Sequence, residues 1–333
     1  MKIDAALEAI NLREAPAIAR AAEAMGFDAI WTGEKQHEAI LPLPLVAEYT
    51  QRIHFGTAIA VAFARSPMVL AHAAWDLAAQ SGGRFILGLG TQVKAHIERR
   101  FGMTWGPPMP RLREMILSLR AIWNCWQNGA PLRFRGEYYK LTLMTPFFNP
   151  GPIPTPHVPI FIAGVNAKMC QLAGELADGF LVHPYHTVKY LREVVLPAIE
   201  TGAAKTGRVR SDVQVCGSAF IITNDAERES VRSQVAFYAS TPSYRRVSEC
   251  HGWGEIGERL SFLAARGKWN EMPSQISDEM LDAFALIGRP DELPGKLTAK
   301  YAGLLDRVGL YMPFVPGQCE DLWRALITAV HAQ

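Results

Sequence analysis

Short apolar runs and longer amphipathic stretches take turns along this chain. The runs Lys2–Ala6, Phe27–Thr32, Ile53–Ala60 and Phe85–Gly90 read as strands. Between them, Ile18, Ala21, Ala22 and Met25 recur at helical spacing, and Leu43–Gln51 and Met68–Ala79 read as further helices. Gly26 and the Gly82-Gly83 pair stop helices, and Ser66-Pro67 caps one. Strand starts recur roughly every 25–35 residues, which is a βα period. The strands are apolar on both faces, as expected where helices cover a parallel sheet or the outside of a barrel.

After Gly90 the period breaks. Arg111–Trp126 is an amphipathic helix, and Leu132–Gly136 with Tyr138–Thr142 reads as a hairpin. Six prolines between Pro146 and Pro159 mark an ordered excursion over the barrel mouth. Order resumes with strand Ile160–Ala163, helix Lys168–Leu176, strand Gly179–His183, helix Val188–Thr201 and strand Val213–Thr223. The mostly helical stretch Glu227–Tyr301 is too long for one crossover. Arg307–Met312 then gives the eighth strand and Glu320–Ala332 a terminal helix. Eight strands alternating with helices favour an α/β fold of the (β/α)8 TIM-barrel type over an open doubly wound sheet. We expect one domain over residues 1–333, with insertions at about 91–157, after strand 4, and about 224–304, between strands 7 and 8.

Composition narrows the classes. The chain has 333 residues, 49% of them hydrophobic, and a net charge of +2, so nothing draws it globally to nucleic acid or a membrane surface. No apolar run approaches the length of a bilayer span. Five scattered cysteines (125, 170, 216, 250 and 319) never form a CxxC pair, which fits a reducing, cytoplasmic setting. The start, Lys2–Ala6, reads as a strand, so no signal segment is expected there.

Candidate chemistry gathers where strands end. Gly88-Leu-Gly90 lacks the third glycine of a dinucleotide fingerprint, Val93 standing there, and no acidic residue follows at the ribose position. The two glycines instead allow close approach of a ring system at a barrel mouth. Glu34 and His37, in the loop after the second strand, are either proton donors and acceptors or members of a solvated charged loop. Ala163-Gly-Val-Asn166, just before a helix, is either a phosphate cradle or an ordinary βα turn. His183 with His186 lacks the further ligands a metal would need, so no metal site is expected. Trp105, Trp123, Trp126 and Trp253 read as core or lid packing. No nucleophile elbow or P-loop is present, which leaves the chemistry to an organic cofactor.

Several motifs together resemble the bacterial luciferase-like superfamily. They are Gly26-Phe-Asp-Ala-Ile-Trp31, Arg52-Ile-His-Phe-Gly-Thr57, Arg65-Ser-Pro67, Ser81-Gly-Gly-Arg-Phe-Ile-Leu-Gly-Leu-Gly90, Leu119-Arg-Ala-Ile-Trp123, Gly136-Glu-Tyr-Tyr139 and Leu172-Ala-Gly-Glu-Leu-Ala-Asp-Gly179. Gln92–Gly102 and Pro146–Gly151 are similar to the branch that uses the deazaflavin coenzyme F420. The resemblance implies a (β/α)8 barrel with the cofactor ring at its C-terminal mouth. It also implies a non-prolyl cis peptide at Ala58-Ile59, with Ala60 alongside, bracing the ring. By the same resemblance Gly90 and Thr91 lie near the ring and Ala163, Gly164, Val165 and Asn166 near the phosphate arm, with Met169 and His183 bordering them. Members commonly pair as homodimers.

One departure matters. Sugar-phosphate dehydrogenases of the superfamily pair a histidine after the second strand with a glutamate after the fourth, and Lys35 and Val93 stand at those places here. Their reaction is therefore not carried over, and His37 and Glu34 remain the acid/base candidates. Three functions are carried forward. The first is hydride transfer between coenzyme F420 and a small organic substrate, and the second is an FMN-dependent monooxygenase. The third is a barrel that binds a flavin-type ligand without turnover.

Overall fold

Eight parallel strands pair in a closed ring in the computed structural model, which describes residues 1–8 and 11–332. They are β1 (Lys2–Ala6), β2 (Ala29–Thr32), β3 (His54–Thr57), β4 (Phe85–Gly90), β5 (Ile160–Gly164), β6 (Gly179–Val182), β7 (Gln214–Ile222) and β8 (Arg307–Leu310). Each pairs with the next, and β8 returns to β1 with Arg307 opposite Lys2 and Val308 opposite Ile3. The fold is a (β/α)8 TIM barrel, as the alternation of runs predicts.

Local chemistry sets the helix boundaries. Ser66 accepts a hydrogen bond from the Val69 N–H at 3.2 Å, and Pro67 occupies the first turn of helix Pro67–Ser81. Gly82 ends that helix at φ +63°, a left-handed conformation that a side chain would oppose. Helices Ala167–Leu176 and Leu196–Ala204 approach until backbones touch. A Cβ added at Gly174 would lie 2.0 Å from the Ile199 carbonyl oxygen, and one at Gly202 would lie 1.9 Å from that of Gln171.

The lower barrel is filled by an ion pair within an aromatic layer. Arg307 donates to both carboxylate oxygens of Asp4, at 2.8 and 2.6 Å, and the Trp31 indole N–H donates to Asp4 at 2.9 Å. Trp31, Ile86, Phe161, Cys216 and Leu181 pack together in the layer beside it. This floor is satisfied and closed, so chemistry is left to the opposite end.

Three features depart from the predicted elements. The run Ile53–Ala60 is not one strand: β3 stops at Thr57, and Ala60–Val61 restarts as a short strand beside β4. The predicted helix Val188–Thr201 contains a π turn over Leu191–Val195 just before Pro197. Proline lacks the N–H for the residue four back, and a wider turn absorbs the loss. Ala285–Ile287, which sequence periodicity left inside a helical stretch, is a strand paired in parallel alongside the end of β7, with Phe220 opposite Ala285. The predicted hairpin is present as Phe134–Arg135 paired with Lys140–Leu141.

Candidate functional site at the C-terminal mouth of the barrel

Thr57 explains half of the Gly88-Leu-Gly90 pattern. Its hydroxyl donates to the Gly88 carbonyl at 2.6 Å and accepts from the Gly88 N–H at 3.0 Å. A Cβ added at Gly88 would lie 1.7 Å from the Thr57 carbonyl oxygen. The space at Gly88 thus belongs to the neighbouring strand and leaves none for a ligand.

Gly90 differs. A Cβ there would lie 2.7 Å from both Cγ1 and Cδ1 of Ile59, so glycine is what lets β4 close against the segment after β3. That segment contains the cis peptide Ala58-Ile59 implied by the resemblance. Ala58 is exposed, Ile59 half-buried and Ala60 buried, so small apolar groups form a surface at the mouth. Thr91 and Gln92 continue it, and Gln92 holds φ +56°, unusual for a residue with a side chain.

Under this surface lies an ion-pair network. Glu34 accepts from the Val61 N–H at 2.7 Å and from Arg65 at 2.6 Å. The other end of Arg65 reaches Glu38 at 2.5 Å, and the Glu34 N–H donates to the Ile59 carbonyl at 3.0 Å. Burial opposes the Arg65 cation, but its bonds to Glu34 and Glu38 prevail and raise its pKa above the usual arginine value. Glu34 and Arg65 side chains are only 7% and 14% exposed, so Glu34 is an anchored anion tied to the 58–61 segment. His37 stands apart on the same loop, exposed and without a hydrogen-bond partner among the described residues. Lys35 pairs with Glu8, and Val93 is exposed.

The turn after β5 spends several of its candidates on its own architecture. Asn166 caps helix Ala167–Leu176 by accepting from the Met169 N–H at 3.0 Å, and the Val165 carbonyl accepts from Tyr190 at 2.9 Å. Met169 is buried behind Gly164, where an added Cβ would lie 2.4 Å from its Cγ. Ala163 and Gly164 stay half-exposed beside the helix N-terminus, whose first N–H groups suit an anion.

His183 follows β6 and lies in an aromatic group that sequence reasoning missed. Its ring centroid is 4.3 Å from that of Tyr244 and 4.7 Å from that of Tyr238, whose hydroxyl contacts that of Tyr311. His183 Nδ1 accepts from the Tyr185 N–H at 3.1 Å. Burial lowers its pKa to about 3, with the neighbouring His186 adding to the shift, so the ring is neutral. Tyr238, Tyr244 and Tyr311 gave no motif because helices and turns far apart in sequence bring them here.

Two surface grooves, of ≈ 430 and ≈ 380 Å³, flank helix Pro108–Asn128 and include Asn124 with His157 in one and Leu132 with Met144 in the other. Neither touches the strand ends, where barrels of this kind carry their chemistry. Among the described residues, no group of three or more His, Cys, Asp or Glu side chains is placed to hold a metal, and no helix is long and apolar enough to cross a membrane.

The mouth suits a flat, largely apolar ring: the Ile59 side chain packs directly on Gly90, Ala58 beside it is exposed, and a helix N-terminus lies one strand further round. Comparison with known proteins agrees. The family model for luciferase-like monooxygenases matches residues 2–307. An uncharacterized protein of Mycobacterium tuberculosis is 47% identical over 314 residues, 92% of each chain. A 5,10-methylenetetrahydromethanopterin reductase of Archaeoglobus fulgidus is 31% identical over 283 residues, 82% of this chain and 81% of that one. The structure of the coenzyme F420-dependent tetrahydromethanopterin reductase of Methanopyrus kandleri superposes with a TM-score of 0.79 at 22% identity, covering 99% of this chain and 98% of that one.

The chain belongs to the luciferase-like monooxygenase family. It is an oxidoreductase that acts with a flavin or deazaflavin cofactor, and the reading as a binder without turnover gives way to an enzyme.

Proposed function

We propose that this protein is a coenzyme F420-dependent oxidoreductase that moves a hydride between the deazaflavin and a small organic substrate. The observation carrying this reading is the surface made by Ala58, Ile59 and Ala60 against Gly90 and Thr91, to which the cofactor's ring would dock. A putative coenzyme F420-dependent oxidoreductase of Mycobacterium tuberculosis, 28% identical over 293 residues, supports the deazaflavin reading. The phosphate arm would lie toward Ala163, Gly164, Val165 and Asn166, with the helix N–H groups as donors. Met169 supports that turn from behind, and His183 borders the neighbouring strand end.

When bound, the deazaflavin would give up or take up two electrons as a hydride, and the protein would supply position, dryness and proton transfer. Glu34 is a positioning residue: its carboxylate, held by Arg65 and the Val61 N–H, fixes the 58–61 segment. His37 is the acid/base candidate, because it is the member of the loop with a free imidazole. The loops around 91–110 and 146–157 would exclude water and shape the pocket.

The family description itself, a monooxygenase, favours a second reading with FMN and oxygen. Titrating the protein with each cofactor and following ring absorbance separates the two. Saturable deazaflavin binding is expected. Tight FMN binding with no measurable deazaflavin binding would sink the leading reading.

A further inference from the structure

Four polar aromatic residues converge on the arc of the mouth formed by β6, β7 and β8. His183 follows β6, Tyr238 lies on helix Asp225–Ala239 after β7, Tyr244 ends the next turn, and Tyr311 follows β8. Counting their hydrogens shows a surplus. His183 Nδ1 accepts from the Tyr185 N–H, so its proton sits on Nε2, and no described residue accepts it. The Tyr244 hydroxyl likewise has no protein partner among the described residues, and neither atom belongs to the set of fully buried, unpartnered polar atoms. Tyr238 and Tyr311 contact through their hydroxyls, so one O–H serves the other and the second O–H is spare.

Three neutral donors without a protein acceptor among the described residues therefore lie within one cluster, and the His183 and Tyr244 atoms are not sealed from solvent. Burial raises the Tyr238 and Tyr244 pKa values, so both phenols keep their protons, and the His183 ring is neutral. The nearby cations Arg245 and Arg246 are occupied by Glu258 and Glu249. Donors without charge, set among aromatic faces, suit an uncharged acceptor oxygen on a flat molecule. A carboxylate or phosphate would lose its hydration here without gaining a cation.

We propose that this cluster is an oxygen-binding subsite for the substrate. Its donors are His183 Nε2–H, the Tyr244 O–H and the spare O–H of the Tyr238–Tyr311 pair. It takes the carbonyl oxygen of an uncharged, planar, conjugated ketone or aldehyde, and the tyrosine rings form its walls. The inference rests on the mouth being the reaction site but not on which cofactor lies there.

Acetophenone is a suitable probe, with ethylbenzene (the same shape without oxygen) and benzoate (the charged analogue) as controls. Binding is measured by calorimetry on the full chain, alone and saturated with coenzyme F420. Acetophenone should bind saturably in both states, about tenfold more tightly than ethylbenzene, with benzoate weaker still. Tyr244→Phe and the double change Tyr238→Phe with Tyr311→Phe should each weaken acetophenone about fivefold and leave ethylbenzene unchanged. The bound ketone's C=O stretching frequency, lowered in the wild type, should return toward its free value in both variants. These substitutions keep the rings, and using both in parallel covers the case in which one fails to fold.

The proposal is overturned by absence of saturable ketone binding, by equal affinity for ethylbenzene, or by variants that bind the ketone as the wild type does. It is also overturned if the cofactor displaces the ketone, since the donors would then serve the cofactor's own ring carbonyls. Failure of the deazaflavin to bind, with ketone binding intact, would count against the proposed cofactor and leave the subsite standing.

Discussion

Arg65 shows how a residue that was not singled out for chemistry can hold a site together. It joins Glu34 and Glu38 beneath the apolar surface, and its removal leaves the nearly buried Glu34 carboxylate with one backbone N–H. We expect Arg65→Ala to destabilise the protein by about 3 kcal/mol, read from denaturant unfolding, and to weaken cofactor binding about tenfold. His37 is the opposite case, exposed and unpartnered. His37→Ala should reduce turnover while leaving cofactor affinity nearly unchanged, and unaltered turnover would remove it from the mechanism. Both Glu34 and His37 were legible as polar residues after a strand. Their different surroundings were not, because Glu34 is tied down by Arg65, 31 positions beyond it.

Three histidines make a pH signature at the same scale. Burial lowers His183 to about 3, His186 to about 4 and His54 to about 4, from an ordinary 6.5. Each stays neutral in the folded chain while the unfolded chain takes up protons as the pH falls. The stability this neutrality contributes is complete above about pH 6.5 and is lost progressively toward the folded values. The melting temperature should therefore fall steadily between about pH 7 and pH 5. A flat profile there would show that these rings are not held neutral.

Among the elements, strands and helix caps were the most legible parts. Runs apolar on both faces located all eight barrel strands, and Ser66-Pro67 and Gly82 located a helix from end to end. The misses have physical causes. Thr57 bonds to both backbone groups of Gly88, so the glycine that resembled ligand space serves strand packing. The π turn before Pro197 and the short strand Ala285–Ile287 answer to backbone partners that no local pattern encodes. Helix packing gives a test. Gly174→Ala would drive a Cβ into the Ile199 carbonyl, and the rigid backbone on both sides leaves little room to adjust. A loss of about 3 kcal/mol or more is expected by denaturant unfolding. A loss below about 1 kcal/mol would mean these helices separate easily.

At the scale of the whole molecule the barrel divides its two ends by chemistry. The closed end neutralises Arg307 with Asp4 beside an aromatic layer. The open end has two arcs: small apolar groups after β3 and β4, and hydrogen-bond donors among tyrosines after β6 to β8. A flat cofactor on the first arc and an oxygen-bearing substrate against the second would use the whole mouth. The family was legible in the sequence because its motifs lie on the strands and caps that build this end. The substrate was not, since the residues of the second arc come from unrelated stretches of chain.

The most direct measurement is an equilibrium fluorescence titration of coenzyme F420 into the wild-type chain and into Gly90→Val. The added side chain would displace Ile59 and disrupt the surface proposed to seat the ring. The wild type should saturate at one equivalent per chain and the variant should bind at least about tenfold more weakly. Equal affinity in the two proteins, or no saturable binding to the wild type, would contradict the account.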